Sequence, residues 1–265
     1  MWALRGLRNG VLTTRWPARP DEYAAATRGP ATVLAPRAVG GDDLPGLCPV
    51  GAISTEPLRI DKGACILCGR CVAVRPDAFG WSAGPAQAAL SRAGLVVPAE
   101  ETEESLAAVT AGLRARTKAL RRSVHLRHVD AGSDGSEESE ILALLNPVYD
   151  IHRLGMFFTA SPRHADVLLV TGAGAHGMAG PLRTTYEATP EPKVVIAVGT
   201  DAVSGGMVSP SYATSGGIGG IVPVDVWLPG SPPSPFAILS ALLLALGRLP
   251  KASLDGLPAV LGEQT

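Results

Sequence analysis

No apolar run in the sequence is long enough to span a bilayer: the longest, FAILSALLLAL at 236–246, stops well short of the roughly 20 residues a membrane helix needs. Neither charge is in excess. The 23 Lys and Arg against 24 Asp and Glu leave a formal net charge of −1, which argues against a nucleic-acid binder held by phosphate contacts, so any basic surface must be local. The opening MWALRGLRNGVLTTRW carries neither an apolar core of signal-peptide length nor a small-residue cleavage site, and a cytoplasmic location is the expectation. Aromatics make up 5% and charged residues 18%, but 46% of the chain is hydrophobic, a globular composition that rules out disorder throughout. Its 265 residues suffice for one large domain, or for an ordinary domain with a small appendage. Cysteine is scarce, and all 4 lie between Cys48 and Cys71.

That clustering carries chemistry. Cys65, Cys68 and Cys71 form C-x-x-C-x-x-C, and Cys48 is followed at once by Pro49. Three closely spaced thiolates on one loop plus a remote Cys-Pro are the ligand pattern of a cubane iron–sulfur cluster. Structural zinc and plain reduced thiols are the competing readings. Zinc sites usually separate two C-x-x-C pairs by a longer loop, whereas successive intervals of three with Gly69 among them suit a cluster better. One [4Fe–4S] cluster on Cys48, Cys65, Cys68 and Cys71 is expected.

The spacing resembles a bacterial two-cluster ferredoxin, in which each C-x2-C-x2-C-x3-C-P motif lends its last cysteine to the other cluster. The positions that would hold the first motif's leading cysteines are Ala38, Gly41 and Leu44, and the second Cys-Pro has become Arg75-Pro76. The surviving thiols are those of one cluster, and the missing ones all belong to the other. ISTEPLRI at 53–60 is read as the hairpin joining Cys48 to the triplet, with Pro57 confined to an edge.

Residues 81–122 read as a helical connector: Glu100, Glu101, Glu103 and Glu104 open an Ala/Leu-rich helix that ends in bases, as the helix dipole favours. Arg114, Arg116, Lys118, Arg121 and Arg122 form either a solvated face or a basic docking surface. From residue 124 the pattern alternates strand and helix. Strands are expected at 124–130, 166–171, 193–198 and 221–228, with helices at 138–145, 179–188 and 235–249. This is an α/β pattern: a parallel, doubly wound, flavodoxin-like domain preceded by a small α+β ferredoxin-like domain. Ligands of such sheets sit at the carboxyl ends of the strands. Four loops meet there, and the residues in them best able to act on a ligand are Asp134, Glu137, Asp201 and Ser231. Gly172, Gly174 and Gly177 spell G-x-G-x-x-G after a strand, with Asp201 ending the next one, which raises a nicotinamide-binding alternative. Against it, another strand precedes this turn, and Pro181 falls in the early helix. His125 and His128, three apart on a strand, face opposite ways; His152, His164 and His176 are scattered and given structural or surface roles.

The blocks HLRHVDAGS, LLNPVYDIHRLG, SPRHADVLLVTG, PEPKVVIAVG and VPVDVWLPG, in this order, resemble the small (20 kDa, B-type) subunit family of group 4 membrane-bound nickel–iron hydrogenases and respiratory complex I. GVLTTRWPARPDEY with the cysteine motif is similar to the iron–sulfur subunit of formate hydrogenlyase-type complexes. The resemblance implies a fusion: a ferredoxin-like domain at 1–80, the connector, the small-subunit-like α/β domain at 123–250 and a tail at 251–265. The family binds a proximal cubane cluster through four cysteines, which by this resemblance fall at Asp134, Glu137, Asp201 and Ser231. Carboxylates and a hydroxyl are hard oxygen donors, better matched to Mg²⁺, Ca²⁺ or Mn²⁺ than to iron–sulfur. That pocket is read either as a decayed, hydrated cluster site or as one that binds a hard cation or carries protons. The implied function is an electron-transfer subunit with one [4Fe–4S] cluster and no proximal cluster, catalysing nothing alone. Its implied partners are a hydrogenase- or complex I-like large subunit and other subunits of a membrane-bound complex. It would be peripheral on the inner face of the cell membrane, with no nucleic acid and no span of its own. A non-redox assembly subunit is the alternative within the same complex.

Overall fold

A computed structural model describes residues 6, 8, 10–34, 44–98, 102–120 and 123–249. Ala38, Gly41, Glu100, Glu101, Arg121, Arg122 and the expected tail at 251–265 lie outside those residues. The chain runs α1 (Glu22–Ala25), β1 (Arg28–Val33), α2 (Leu44–Leu47), β2 (Ile53–Thr55), β3 (Leu58–Asp61), α3 (Arg70–Val74), β4 (Phe79–Ala83), β5 (Val96–Val97) and α4 (Glu103–Thr117). It continues through β6 (Val124–Asp130), α5 (Ser136–Ala143), β7 (Met156–Phe158), β8 (Val167–Thr171), α6 (His176–Ala188), β9 (Val194–Val198), α7 (Thr200–Ser204), β10 (Val226–Leu228) and α8 (Pro235–Ala245).

The second half is α/β. Its five strands are all parallel, in the order β10-β9-β8-β6-β7. β8 and β9 read VLLVT and VVIAV and are buried at every position, the unbroken apolar signature of strands covered on both faces. Alternate residues enter two cores. Leu126, Val167, Leu169, Val194 and Ile196 pack with α8 and Ile141 of α5 on one face. Val129, Leu168, Val170, Val195 and Ala197 pack with Leu182 of α6 and Ala202 and Val203 of α7 on the other. The apolar run at 236–246 forms α8, which is capped by Ser234 and buried at every residue except Leu244, as befits a helix that is apolar all round.

The first half is two small antiparallel sheets, β1 with β4 and β2-β3-β5. β2 and β3 form the expected hairpin with Ile53 opposite Ile60, and Pro57 lies in its two-residue turn, not on a strand edge. β5, a stretch within the expected connector, completes the sheet by pairing Ile60 with Val97. The acid-first helix forms as α4, capped by the Thr102 side chain on Ser105 N–H.

Two expectations shift, and one strand is additional to those expected. The strand expected at 221–228 is confined to β10: Ile221 and Val222 donate to Ile218 O in a turn, and Pro223 has no N–H for a ladder. The three-residue edge strand β7 is too short to show period. α6 begins at His176, so Pro181 lies inside it beyond the first turn and removes one ladder bond.

Candidate functional site

Cys48 follows α2, Cys65 and Cys68 lie in the turn after β3, and Cys71 sits in α3. The fold brings them together: all four line one cavity, walled by Ala31, Val50, Ile53 and Ile60. None is in a disulfide. The Ala52 N–H donates to the Cys48 sulfur at 3.2 Å, and the backbone N–H groups of Ala31 and Leu67 donate to that of Cys65. Burial is the main cause that raises the Cys65 thiol and pushes Cys71 up to about 11, and the other cysteines' charges add to it. Four thiolates here repel one another and need positive charge between them. Among the described residues no three His, Cys, Asp or Glu side chains converge on a point that a single metal ion could occupy. The donor chemistry, sulfur ligands with apolar walls and an amide aimed at sulfur, is of the kind an iron–sulfur cluster would use.

Two of the positions at which a two-cluster ferredoxin would carry further cysteines, Leu44 and Arg75, lie among the described residues and have structural roles. Leu44 is buried in the same core, and Arg75 makes a two-pronged ion pair with Asp77 at 2.8 Å. Gly69 takes φ +74, and a Cβ there would come within 2.9 Å of the Trp81 ring, which lies over the cysteine loop.

At the strand ends, Asp134, Glu137 and Asp201 come within electrostatic range of one another. Glu137 is 1% exposed in the first turn of α5, lying over Gly199, where a Cβ would collide with its carboxyl. Burial, and then the Asp201 and Asp134 charges, push it up to about 7. Asp201 is raised by burial and by Asp134 and Glu138. Asp134 is lowered by its hydrogen bonds to Ser136, whose N–H is at 2.9 Å. Ser231 is exposed on the adjoining turn after Gly230. A neighbouring cluster was not evident in sequence: His128 Nε2 lies 2.9 Å from Thr171 Oγ1 and 3.2 Å from Glu138, and burial lowers the imidazole's pKa.

The G-x-G-x-x-G turn is filled by the chain itself. His176 N–H donates to Ala213 O at 2.9 Å and Gly217 N–H to Ala173 O at 3.0 Å, so the amide at the start of α6 that would meet a pyrophosphate is spent on the segment after α7. Gly172 packs on Gly132, where a Cβ would lie 2.5 Å from the Gly132 carbonyl carbon. His125 and His128 do face opposite sides, His125 lying 3.5 Å from Asp166; His152 stacks on Phe157. Of the basic run, Arg116 is tied to Asp225.

Residues 134–245 match the NADH ubiquinone oxidoreductase 20 kDa subunit family. The chain is 40% identical over 171 residues to formate hydrogenlyase subunit 7 of Escherichia coli (strain K12), covering 64% of this chain and 66% of that protein. It is 42% identical over 147 residues to the probable membrane-bound hydrogenase subunit mbhJ of Pyrococcus furiosus, covering 56% of this chain and 88% of that one. A chain of the membrane-bound sulfane sulfur reductase, an archaeal respiratory membrane complex, aligns over 51% of this chain and 76% of that chain at 28% identity and a TM-score of 0.44. With an α/β fold of this topology and relatives of this identity, the protein is of the hydrogenase-like oxidoreductase class. It belongs to the 20 kDa subunit family shared by membrane-bound hydrogenases and complex I.

Proposed function

We propose that the protein is an iron–sulfur electron-transfer subunit of a membrane-associated, group 4 hydrogenase-like or complex I-like oxidoreductase, holding one [4Fe–4S] cluster on Cys48, Cys65, Cys68 and Cys71. The observation that carries this reading is the convergence of all four cysteines on one apolar cavity. The cluster supplies one-electron chemistry. The chain's part is to bind it through four sulfurs, to exclude water with Ala31, Ile53 and Ile60, and to temper its charge with the amides of Ala52, Ala31 and Leu67. In this reading the family's proximal cluster is absent, because Asp134, Glu137, Asp201 and Ser231 stand where its cysteines fall. The proposed division is a ferredoxin-like domain at 1–80, a connector at 81–122 that also supplies the end of β4 and all of β5 to the small sheets, and an α/β domain at 123–250. The strand-end loops dock a hydrogenase-like large subunit, and the protein reaches the cytoplasmic face of the membrane through its partners. Among the described residues no helix is long and apolar enough to cross a membrane.

The test is anaerobic purification of the full chain, reduction with dithionite and electron paramagnetic resonance at low temperature. A signal from one reduced cluster, lost in Cys65→Ala, is expected. Protein that binds iron but gives no signal on reduction contradicts electron transfer and leaves a structural, non-redox role in the complex.

A further inference from the structure

The Cys65 turn is held by a residue outside the cysteine region. Thr200, fully buried at the start of α7, donates from Oγ1 to the Cys65 carbonyl at 3.0 Å. The same oxygen accepts from Gly230 N–H at 3.2 Å, and Thr200 N–H donates to Gly230 O at 2.7 Å. One hydroxyl therefore ties the first cysteine of the triplet to the two turns that carry Asp201 and Ser231. The approach is close on either side: a Cβ on Gly63 would lie 2.8 Å from Val203 Cγ1, and Arg92 grips Asp61 in a two-pronged pair at 2.8 and 2.6 Å.

What this grip holds is strained. Leu67, midway between Cys65 and Cys68, has φ +55, in the left-handed region that a branched side chain disfavours. Such a conformation persists only where its surroundings over-determine it. It has a use here: the Leu67 N–H donates to the Cys65 sulfur. Amides aimed at cluster sulfurs stabilise the added negative charge of the reduced state and raise its potential.

We infer that Thr200 is a positioning residue for the cluster: its hydroxyl, by holding the Cys65 carbonyl, keeps the Cys65–Leu67 turn in register and the Leu67 amide on the Cys65 sulfur, and so raises the potential at which the cluster accepts an electron. The inference rests on the cluster assignment above. The step is the gain of one electron from a one-electron donor, with no bond broken and no proton moved. The α/β domain thereby sets a property of a cluster to which it gives no ligand.

The experiment is a potentiometric titration of the anaerobically purified full chain with dithionite, followed by paramagnetic resonance, for the wild type and Thr200→Val, Thr200→Ala and Thr200→Ser. In the Val and Ala variants the midpoint falls by about threefold in the reduction equilibrium, about 30 mV for one electron, at unchanged iron content, and the signal changes shape. Thr200→Ser restores the wild-type midpoint. If the Val variant does not fold, the Ala variant, which adds no bulk, supplies the comparison. Iron-loaded Val or Ala variants with the wild-type midpoint overturn the inference and leave the cluster assignment standing, and so does a Ser variant that falls as far as Ala. A wild type that binds no iron overturns both.

Discussion

Glu137 sits in an environment strongly at odds with its chemistry. A carboxyl 1% exposed, facing Asp201 and Asp134, holds its proton up to about 7, where an unfolded glutamate releases it near 4.5. Between those values the folded state binds more protons, so stability falls as pH rises through this window and levels above about 7. The loss amounts to at most about 3 kcal/mol by the size of the shift. Thermal melts of Glu137→Gln are expected to be flatter than the wild type between pH 4.5 and 7 and more stable at pH 8. Wild-type and variant curves that stay parallel would refute the assignment. Much of the site was legible at this scale, because cysteine spacing and the strand-end rule depend only on residue type and position. Thr200 and Leu67 were not. A threonine in a strand-end turn and a leucine between two cysteines carry no mark of the backbone each will adopt, since contact and strain arise only when distant segments meet.

Elements with continuous apolar runs were legible for the same reason that they are buried. β8 and β9 need no alternation because both faces are covered, and α8 needs no polar stripe. Legibility failed where a few residues depend on neighbours: β7 exists because β6 offers it an edge, and β10 starts late because Ile221 and Val222 turn back onto Ile218 O. Leu169, fully buried at the centre of the sheet, is expected to cost about 2–5 kcal/mol when changed to Ala, read by denaturant unfolding. Gly172 is the sharper case. At φ +87 and pressed on Gly132, it closes the junction of β6 and β8, where this sheet's strand order reverses. Gly172→Ala is expected to destabilise the fold by about 2 kcal/mol or more. If that turn instead seated a dinucleotide, the wild type would bind NADH in calorimetry; no heat is expected.

Across the whole molecule, the amino-terminal segment does not stay with the cysteine region that follows it in sequence. Trp16 packs edge-on against Phe236 at 5.8 Å, and Thr14 N–H bonds to Val148 O at 2.8 Å, so residues 14–16 lie on the α/β core although the cysteine pocket follows them in sequence. Contacts from Trp16, Arg92 and Thr200 thus join the parts, and metal binding counts toward folding. Iron-loaded protein should melt at a higher temperature than the same chain with all four cysteines changed to alanine. The central claim is the number of clusters. Iron and acid-labile sulfide on anaerobically purified protein test it most directly: about four of each per chain is the expected result for one cubane. About eight would show that the strand-end carboxylates had not replaced a cluster site, and zinc in place of iron would contradict the assignment outright.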